Sequence, residues 1–321
     1  MSLKDKLFDA LLISEIAFAS AAGGAVSTYF IYSSRTPKKP KEIVRTVRST
    51  LENSTLEKVV SLEVKDKRKD ILDYSIPFKT LHLQPTKYQI TNQKGKKEDL
   101  KDFLQRSVTN ESLRHYVKGL IKKVKKAHDN LRKQRIKVND RILAELAISI
   151  MRFDVVRNSD YTLDYEVNGD SRQTWEEFYK PKDKTKKKLG DCDDYSTALL
   201  SLYAAMLKET ESSKDAFGKR LFDVLLHNQI IGLGYSGDSR YGDNDVGHEM
   251  LALLQYSDDF RHVSLKLLEP QKLSGYGNNK NYGLAFADGK LVMWDSRGKK
   301  FINIRNLEYI YTPNGVYKPS K

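Results

Sequence analysis

The chain has one cysteine, Cys192, and the residues around it give it chemical potential. It lies in the segment Gly190-Asp191-Cys192-Asp193-Asp194, and apolar residues follow at helical spacing, at Ala198, Leu199 and Leu202. The pattern predicts a helix that begins at Cys192. Because the first N–H groups of a helix are unpaired and partially positive, they favour a thiolate. We interpret Cys192 as a nucleophile, with a buried structural cysteine as the alternative.

Three carboxylates flank the cysteine, at Asp191, Asp193 and Asp194. Their charge argues against an apolar, buried environment. Negative charge close to a thiol also raises its pKa. A thiolate at this position therefore needs positive charge nearby.

A thiol nucleophile needs a base, usually a histidine, and the histidine needs a partner for its second ring nitrogen. His248 follows a segment rich in glycine and aspartate and opens an apolar run that predicts a strand. It is therefore the preferred base. Of the other histidines after Cys192, His227 falls in a helix predicted over 221–231 and His262 in a charged, strand-like stretch.

The partner expected for His248 is Asp295. Residues 282–294 alternate in the manner of two strands joined at Asp288-Gly289, which predicts a β-hairpin. Asp295 stands at the end of its second strand.

Together these motifs resemble the transglutaminase-like cysteine hydrolase superfamily, and within it the bacterial transglutaminase-like cysteine proteinases. The motifs are Gly-Asp-Cys-Asp-Asp-Tyr at a helix start, Gly-His at a strand start and Trp-Asp at a strand end. Two upstream segments, over 160–165 and 175–178, resemble the approach to the cysteine in that group. The resemblance covers about 139–312 and implies an α+β fold, a transglutaminase-like (papain-like) core with helices packed on an antiparallel sheet.

The resemblance implies a role for each residue. Cys192 would be the nucleophile, His248 the acid and base, and Asp295 the carboxylate that orients the histidine. The backbone N–H of Cys192 would supply part of an oxyanion hole, with Trp175 as a candidate for the second donor. The reaction would be acyl transfer from a peptide or isopeptide bond through a thioester, resolved by water or by an amine, with no required cofactor.

Calcium is the metal that the resemblance brings in, because acidic residues beside the cysteine bind it in calcium-dependent members. Asp191 and Asp193 match those positions. Carboxylates suit a hard divalent cation, and such an ion would offset the negative charge around the thiolate. The alternative is an acidic helix start without a metal.

Positive charge is concentrated in one part of the chain. Residues 34–140 hold 28 lysines and arginines and 13 aspartates and glutamates, a net charge of +15, whereas residues 141–321 hold 26 of each. A helical pattern over about 99–134 has an apolar face and a lysine-rich face. This region could therefore dock on an anionic surface. Lipid is favoured over nucleic acid, because the basic face lacks interleaved aromatic residues; a solvated face is the alternative.

The N-terminus contains an apolar stretch of membrane length over 10–32. We interpret it as a single-pass anchor; a buried helix or a hydrophobic assembly peptide stays open, and a cleaved signal peptide is less favoured. Six basic residues follow it over 35–48, against Lys4 and Lys6 before it. The charge bias places the catalytic part in the cytoplasm, while the secreted relatives favour an extracytoplasmic location.

The sequence thus predicts three regions: an apolar helix over 1–33, a basic and mainly helical docking region over 34–138, and a transglutaminase-like catalytic domain over 139–321. The stretch between His248 and Asp295 is longer than is usual in the family, which suggests an insertion around 258–281. The predicted function is a membrane-associated cysteine peptidase, amidase or acyltransferase. The alternative is a non-catalytic scaffold docked to a membrane, a nucleic acid or a virion-like assembly.

Overall fold

The computed structural model describes residues 62–63, 83–157, 159–161, 171–180, 188–235, 248–256, 262–268, 270, 282–287, 290–295, 300–303 and 307–319. The predicted anchor over 10–32 lies outside these residues. No described helix is both long enough and apolar enough to cross a membrane.

The described residues form helices and strands in a mixed order. The helices are α1 (Leu100–Val108), α2 (Glu111–Lys133), α3 (Asp140–Val156), α4 (Trp175–Tyr179), α5 (Cys192–Glu211) and α6 (Ala216–Leu226). The strands before α5 are β1 (Leu62–Glu63), β2 (Leu83–Thr86), β3 (Gln89–Thr91), β4 (Lys97–Asp99), β5 (Ser159–Tyr161) and β6 (Lys188–Gly190). The strands after α6 are β7 (Asn228–Tyr235), β8 (His248–Tyr256), β9 (His262–Leu268), β10 (Tyr282–Ala287), β11 (Lys290–Asp295), β12 (Lys300–Asn303), β13 (Leu307–Thr312) and β14 (Gly315–Pro319).

Helix α5 is the centre of the helical layer. It packs against α2, α3 and α6 on one side and against β7 and β8 on the other. Its Ala198, Leu199 and Leu202 are fully buried, and its buried residues occur on every side of the helix. A helix that is apolar all round is stable only in the interior of a protein. The apolar spacing after Cys192 therefore specifies the central helix of the fold.

A seven-stranded antiparallel sheet forms the second layer, in the order β1-β9-β8-β7-β13-β14-β2. The α+β class is thus confirmed. The hairpin predicted over 282–294 is also confirmed: β10 and β11 pair with Ala287 opposite Lys290 and belong to a separate three-stranded sheet with β12.

Helix α2 has the predicted amphipathic form. Leu113, Val117 and Leu120 are buried, while Lys118 and Lys122 are exposed. The helical pattern over 99–134 is divided between α1 and α2 at Asn110, whose side chain accepts a hydrogen bond from the Leu113 N–H and caps α2. A side-chain cap of this kind offsets the free-energy cost of interrupting a helix. A short break between two helices can therefore occur within one continuous apolar pattern.

The hydrophobic core crosses the predicted boundary between 138 and 139. Phe103, Leu113 and Val124 belong to the same cluster of buried residues as Leu146 and Leu199, and β2 pairs with β14. Residues 83–133 therefore share a hydrophobic core with α5.

Two glycines in β7 allow tyrosine rings from β13 to lie flat across the sheet. Gly232 is opposite Tyr311 and Gly234 is opposite Tyr309, and a Cβ at either glycine would overlap the ring of the facing tyrosine. Since both tyrosines hold a carboxylate beside Cys192, these glycines are needed for the candidate site as well as for the sheet.

We predict that Gly232→Ala destabilises the protein by about 1–3 kcal/mol, because the added methyl group overpacks a buried site. The matched control is Gly119→Ala in α2, where a Cβ meets no atom within 4 Å; it should stabilise the protein by about 0.5–1 kcal/mol, since alanine favours a helix. Urea unfolding measures both. A Gly232→Ala protein as stable as the wild type would contradict the proposed contact.

Candidate active site

Cys192 is the first residue of α5, as the sequence predicts. Asp191 is the N-cap: its backbone is extended and its side chain accepts a hydrogen bond from the Asp193 N–H at 3.2 Å. Strand β6 leads directly into this cap and pairs in parallel with β5, so that Gly190 is opposite Tyr161. Two upstream segments thus fix where α5 begins.

Strand β8 begins against the cysteine. The backbone N–H of Glu249 donates to Cys192 Sγ at 3.4 Å, and α5 packs along β8. Because Glu249 directly follows His248, the structure brings the backbone of the predicted base next to the predicted nucleophile. The side chain of His248 is not among those the structure describes.

The environment of the thiol favours its neutral form. Burial, followed by the charges of Asp191 and Asp193, raises the pKa of Cys192 well above its usual value, and the Glu249 N–H lowers it only in part. The helix start therefore does not suffice to make a resting thiolate. Catalysis at this cysteine therefore requires a base that removes the proton as the reaction begins, or an added cation that lowers the pKa of the thiol.

A buried arginine that the sequence analysis did not single out connects the two sides of the site. Arg172 is 3% exposed. Its Nε donates to Asp193 Oδ2 at 3.1 Å, and a terminal nitrogen donates to Glu249 Oε1. Its guanidinium carbon lies 5.5 Å from the centre of the Tyr311 ring. Arg172 therefore links the residue after Cys192 to the residue after His248.

Glu249 completes this network from the sheet. Tyr309 donates its hydroxyl to Oε1, and Tyr311 donates to Oε2 at 2.5 Å. Burial, and then the charge of Glu249, raises the pKa of both tyrosines well above the usual value, so both remain protonated donors. The buried carboxylate thus has an ion-pair partner and two hydroxyl donors, which is what a buried charge requires.

Gln173 holds the next carboxylate of the helix. Its backbone N–H and its side-chain Nε2 donate to the two oxygens of Asp194, at 2.6 and 2.8 Å. The same Nε2 also donates to the carbonyl oxygen of Leu189. A Cβ at Gly190 would lie 2.5 Å from Asp194 Oδ2, so glycine is required there. The dipeptide Arg172-Gln173 therefore donates hydrogen bonds to the carboxylates of the dipeptide Asp193-Asp194.

The three aspartates at the helix start could together hold a cation. One carboxylate oxygen from each of Asp191, Asp193 and Asp194 lies within 4.8 Å of the others. Asp193 Oδ1 is buried and has no hydrogen-bond donor among the described residues. Burial raises the pKa of Asp193 well above its usual value, Arg172 lowers it, and Asp191 and Glu249 raise it further. These carboxylate oxygens fit a hard cation. Asp191 and Asp193 suit it better than Asp194, because both oxygens of Asp194 already accept hydrogen bonds from Gln173.

The contacts that the structure describes for Trp175 are with residues other than Cys192. Its ring stacks on Tyr179, with centroids 4.9 Å apart, and lies 5.3 Å from Tyr116. Its backbone N–H donates to Ser107, which contacts Ser201 of α5. Ser201 is about 13 Å along the helix axis from Cys192. These contacts give Trp175 a packing position, its indole N–H is buried without an acceptor among the described residues, and its role as an oxyanion donor stays a prediction.

Asp295 is the last residue of β11, in the three-stranded sheet. In the seven-stranded sheet, the described neighbours of β8 are β7 and β9, so strand pairing does not put Asp295 beside His248. The side chain of Asp295 is outside the described part of the structure, and its role stays a prediction.

The residues that the structure does bring together were partly predictable. Cys192, Asp191 and Asp193 follow from the helix-start pattern, and His248 from the strand start. Arg172 and Gln173 carried no motif of their own; the signal was the acidic segment after Cys192, which demands nearby cations and donors.

Comparisons of the chain with protein-family models, with curated proteins and with solved structures gave no match.

We predict that Arg172→Met destabilises the protein by about 3–5 kcal/mol, because it leaves Glu249 and Asp193 without their buried counter-charge. The control is Arg114→Met, which removes an arginine 65% exposed in its side chain and paired with Glu209; we expect a much smaller loss of stability, because solvent screens an exposed ion pair. Urea unfolding at neutral pH compares the two. Equal effects would mean that Arg172 is not the buried link.

We predict that Asp191→Asn lowers the pKa of the Cys192 thiol, because the largest charge that raises it is removed while asparagine keeps the N-cap. Alkylation by iodoacetamide, followed against pH, should then shift its midpoint to lower pH and proceed several-fold faster near neutrality. Asp215→Asn makes the same charge change at the N-cap of α6 and should leave the profile unchanged. An unshifted midpoint in Asp191→Asn would contradict this assignment.

Proposed function

We propose that this chain is a cysteine hydrolase or acyltransferase with a transglutaminase-like core, acting on peptide or isopeptide bonds. The observation that carries the proposal is the approach of the Glu249 N–H to Cys192 Sγ at 3.4 Å. It sets the start of the histidine-bearing strand against the start of the cysteine-bearing helix. This arrangement serves nucleophilic catalysis, because a base must lie within reach of the proton that it removes.

In the proposed reaction, His248 takes the thiol proton as Cys192 Sγ attacks the amide carbonyl. The backbone N–H of Cys192 supports the oxyanion. Collapse of this intermediate breaks the C–N bond, and His248 returns the proton to the departing amine. The thioester is then opened by water, giving a carboxylic acid, or by a second amine, giving a new amide, and the thiol is restored. Asp295 is assigned to orient His248, as the resemblance implies.

The raised pKa of Cys192 makes general-base catalysis more consistent with this site than a resting thiolate–imidazolium pair. In such a mechanism, His248 would remove the proton as the sulfur attacks. Calcium, where bound, would be held by Asp191 and Asp193. It would supply positive charge beside the sulfur and so favour ionisation of the thiol.

Docking of the enzyme is part of the same proposal. The stretch over 10–32 would anchor it in a membrane, and the basic region over 34–140 would face anionic lipid. Because α1 and α2 share the core with α5, the docking surface would be rigidly attached to the catalytic residues. Docking is therefore best tested with the full chain.

A second function, a non-catalytic scaffold, is favoured by one feature of the site: burial and the charges of Asp191 and Asp193 raise the pKa of the Cys192 thiol and so disfavour the thiolate. A scaffold of this kind would keep the Arg172–Glu249 network for stability and use the basic region for docking. Thiol reactivity separates the two functions.

We predict that a peptide-like chloromethyl ketone labels Cys192 stoichiometrically in the wild type, and that His248→Ala slows this labelling at neutral pH by about 10²-fold, the usual contribution of a general base. Such a reagent reports positioning in the site as well as thiol ionisation. His115→Ala removes an exposed histidine from α2 and should have no effect.

Two outcomes would count against the enzyme. If Cys192 resists labelling in the folded protein and reacts only after unfolding, the scaffold is supported. If His248→Ala labels as fast as the wild type, another group must serve as the base.

A further inference from the structure

A cavity of about 320 Å³ lies where α2 ends and the chain turns toward α3, with α6 as its other wall. Four cationic side chains line it, together with one imidazole: Arg132, Arg135, Lys137, Arg220 and His128. The volume falls in the range of small-molecule pockets, which begins near 300 Å³. A concave site lined in this way suits an anion rather than an apolar ligand.

Part of the lining is held rigidly. Arg220 Nε donates to Asp140 Oδ1 at 2.9 Å, and a terminal nitrogen donates to the carbonyl oxygen of Val138 at 2.8 Å. The other terminal nitrogen lies 3.4 Å from His128 Nε2. Because a guanidinium only donates, this nitrogen of His128 accepts, and Nδ1–H donates to Asp129 Oδ1 at 3.0 Å. His128 is 5% exposed. The wall formed by α6 is therefore ordered before any ligand arrives.

The charge in this cavity is not balanced by the protein. Asp140 is paired with Arg220, whereas Asp129 accepts a hydrogen bond from His128 and its side chain is half exposed to solvent. Among the described residues, no carboxylate lies within ion-pair distance of Arg132, Arg135 or Lys137. Three exposed cationic side chains thus line one open, concave site without a carboxylate partner, and an anion bound there would relieve their mutual repulsion.

The backbone conformation of Arg135 is a separate observation that points to a role for its side chain. Arg135 has φ 62°, the only positive φ of a non-glycine residue in the described chain. Its N–H donates to the Arg132 carbonyl, and the next N–H, that of Ile136, donates to the Leu131 carbonyl. This is the Schellman pattern that ends helices, in which glycine is the usual residue. An arginine in a position that glycine would occupy with less strain points to a function.

We propose that this cavity binds a phosphate monoester group, carried by a small soluble compound or by a lipid headgroup. A phosphate monoester carries close to two negative charges at neutral pH and three acceptor oxygens, which match converging guanidinium groups. Arginine binds such oxygens in pairs. The site lies at the C-terminal end of α2 and is independent of the chemistry at Cys192.

The test is a calorimetric titration of the full chain with myo-inositol 1,4,5-trisphosphate, competed by inorganic phosphate, in the wild type and three variants. We expect one saturable site per chain whose affinity falls with salt. Arg135→Gly should weaken it about tenfold, the effect of one charge-assisted contact, with a thermal midpoint no lower than that of the wild type, because glycine suits the turn. Arg132→Gln should weaken binding of the trisphosphate by a similar factor, and it tests the site if the Arg135→Gly protein folds poorly.

The matched control is Lys122→Gln, which removes an exposed charge from α2 outside the cavity. We expect less than a twofold change. If Lys122→Gln weakens binding as much as Arg135→Gly and Arg132→Gln, the attraction is diffuse and the site is overturned. Absence of saturable binding in the wild type overturns it as well.

Vesicles distinguish the two sources of the phosphate. We would compare phosphatidylcholine vesicles that carry phosphatidylinositol 4,5-bisphosphate with vesicles of equal charge that carry phosphatidylserine. A preference for the phosphoinositide that Arg135→Gly removes supports the site with a lipid headgroup. Binding of soluble trisphosphate without that preference supports the site with a soluble ligand. A preference that survives both cavity variants, with no binding of soluble trisphosphate, overturns the site.

Discussion

The buried guanidinium of Arg172 is the interaction on which the candidate active site depends. It contacts Asp193 in the first turn of α5 and Glu249 at the start of β8, two elements that are far apart in sequence and that carry Cys192 and His248. Removing a charge of this kind from water costs several kcal/mol. The buried ion pair is stable because both carboxylates bind Arg172 and two tyrosine hydroxyls donate to Glu249. Its geometry fixes the distance between the helix and the strand.

The same network raises the pKa of the thiol and so disfavours its ionisation. Glu249 and Asp193 are needed to bind Arg172, but both carboxylates raise the pKa of Cys192. The positive charge of Arg172 is largely committed to these two partners. Removing one of these carboxylates would favour a resting thiolate. The arrangement instead suits a neutral thiol that loses its proton to a base during attack, or a bound cation that changes the balance.

The spacing of apolar residues and the helix caps predicted those parts of the fold that depend on residues close together in the sequence. The start of α5 at Cys192, the amphipathic α2, the strand at His248 and the hairpin of β10 and β11 all follow from spacing and capping. The helix predicted over 221–231 was wrong beyond Leu226: a strand begins at Asn228, because Ile230 and Ile231 pair with β8 in the sheet. Tertiary pairing there outweighs local propensity.

The parts that sequence could not supply are those that depend on contacts distant along the chain. The described side-chain partners of Arg172 all lie more than twenty residues away along the chain, so no motif identifies it. The boundary predicted at 138 rested on charge, which describes the exposed face of α2, while the buried face of the same helix decides which core it joins.

The two faces of α2 also define what a ligand at its end could do. The apolar face packs on α5, whose first residue is Cys192, and the last two turns contribute His128 and Arg132 to the basic cavity. A ligand that binds only the folded chain stabilises it in proportion to the logarithm of its concentration. Because α2 and α5 belong to one core, that stabilisation extends to the helix that positions the cysteine, although the cavity and the thiol lie at different ends of the helical layer and share no side chain.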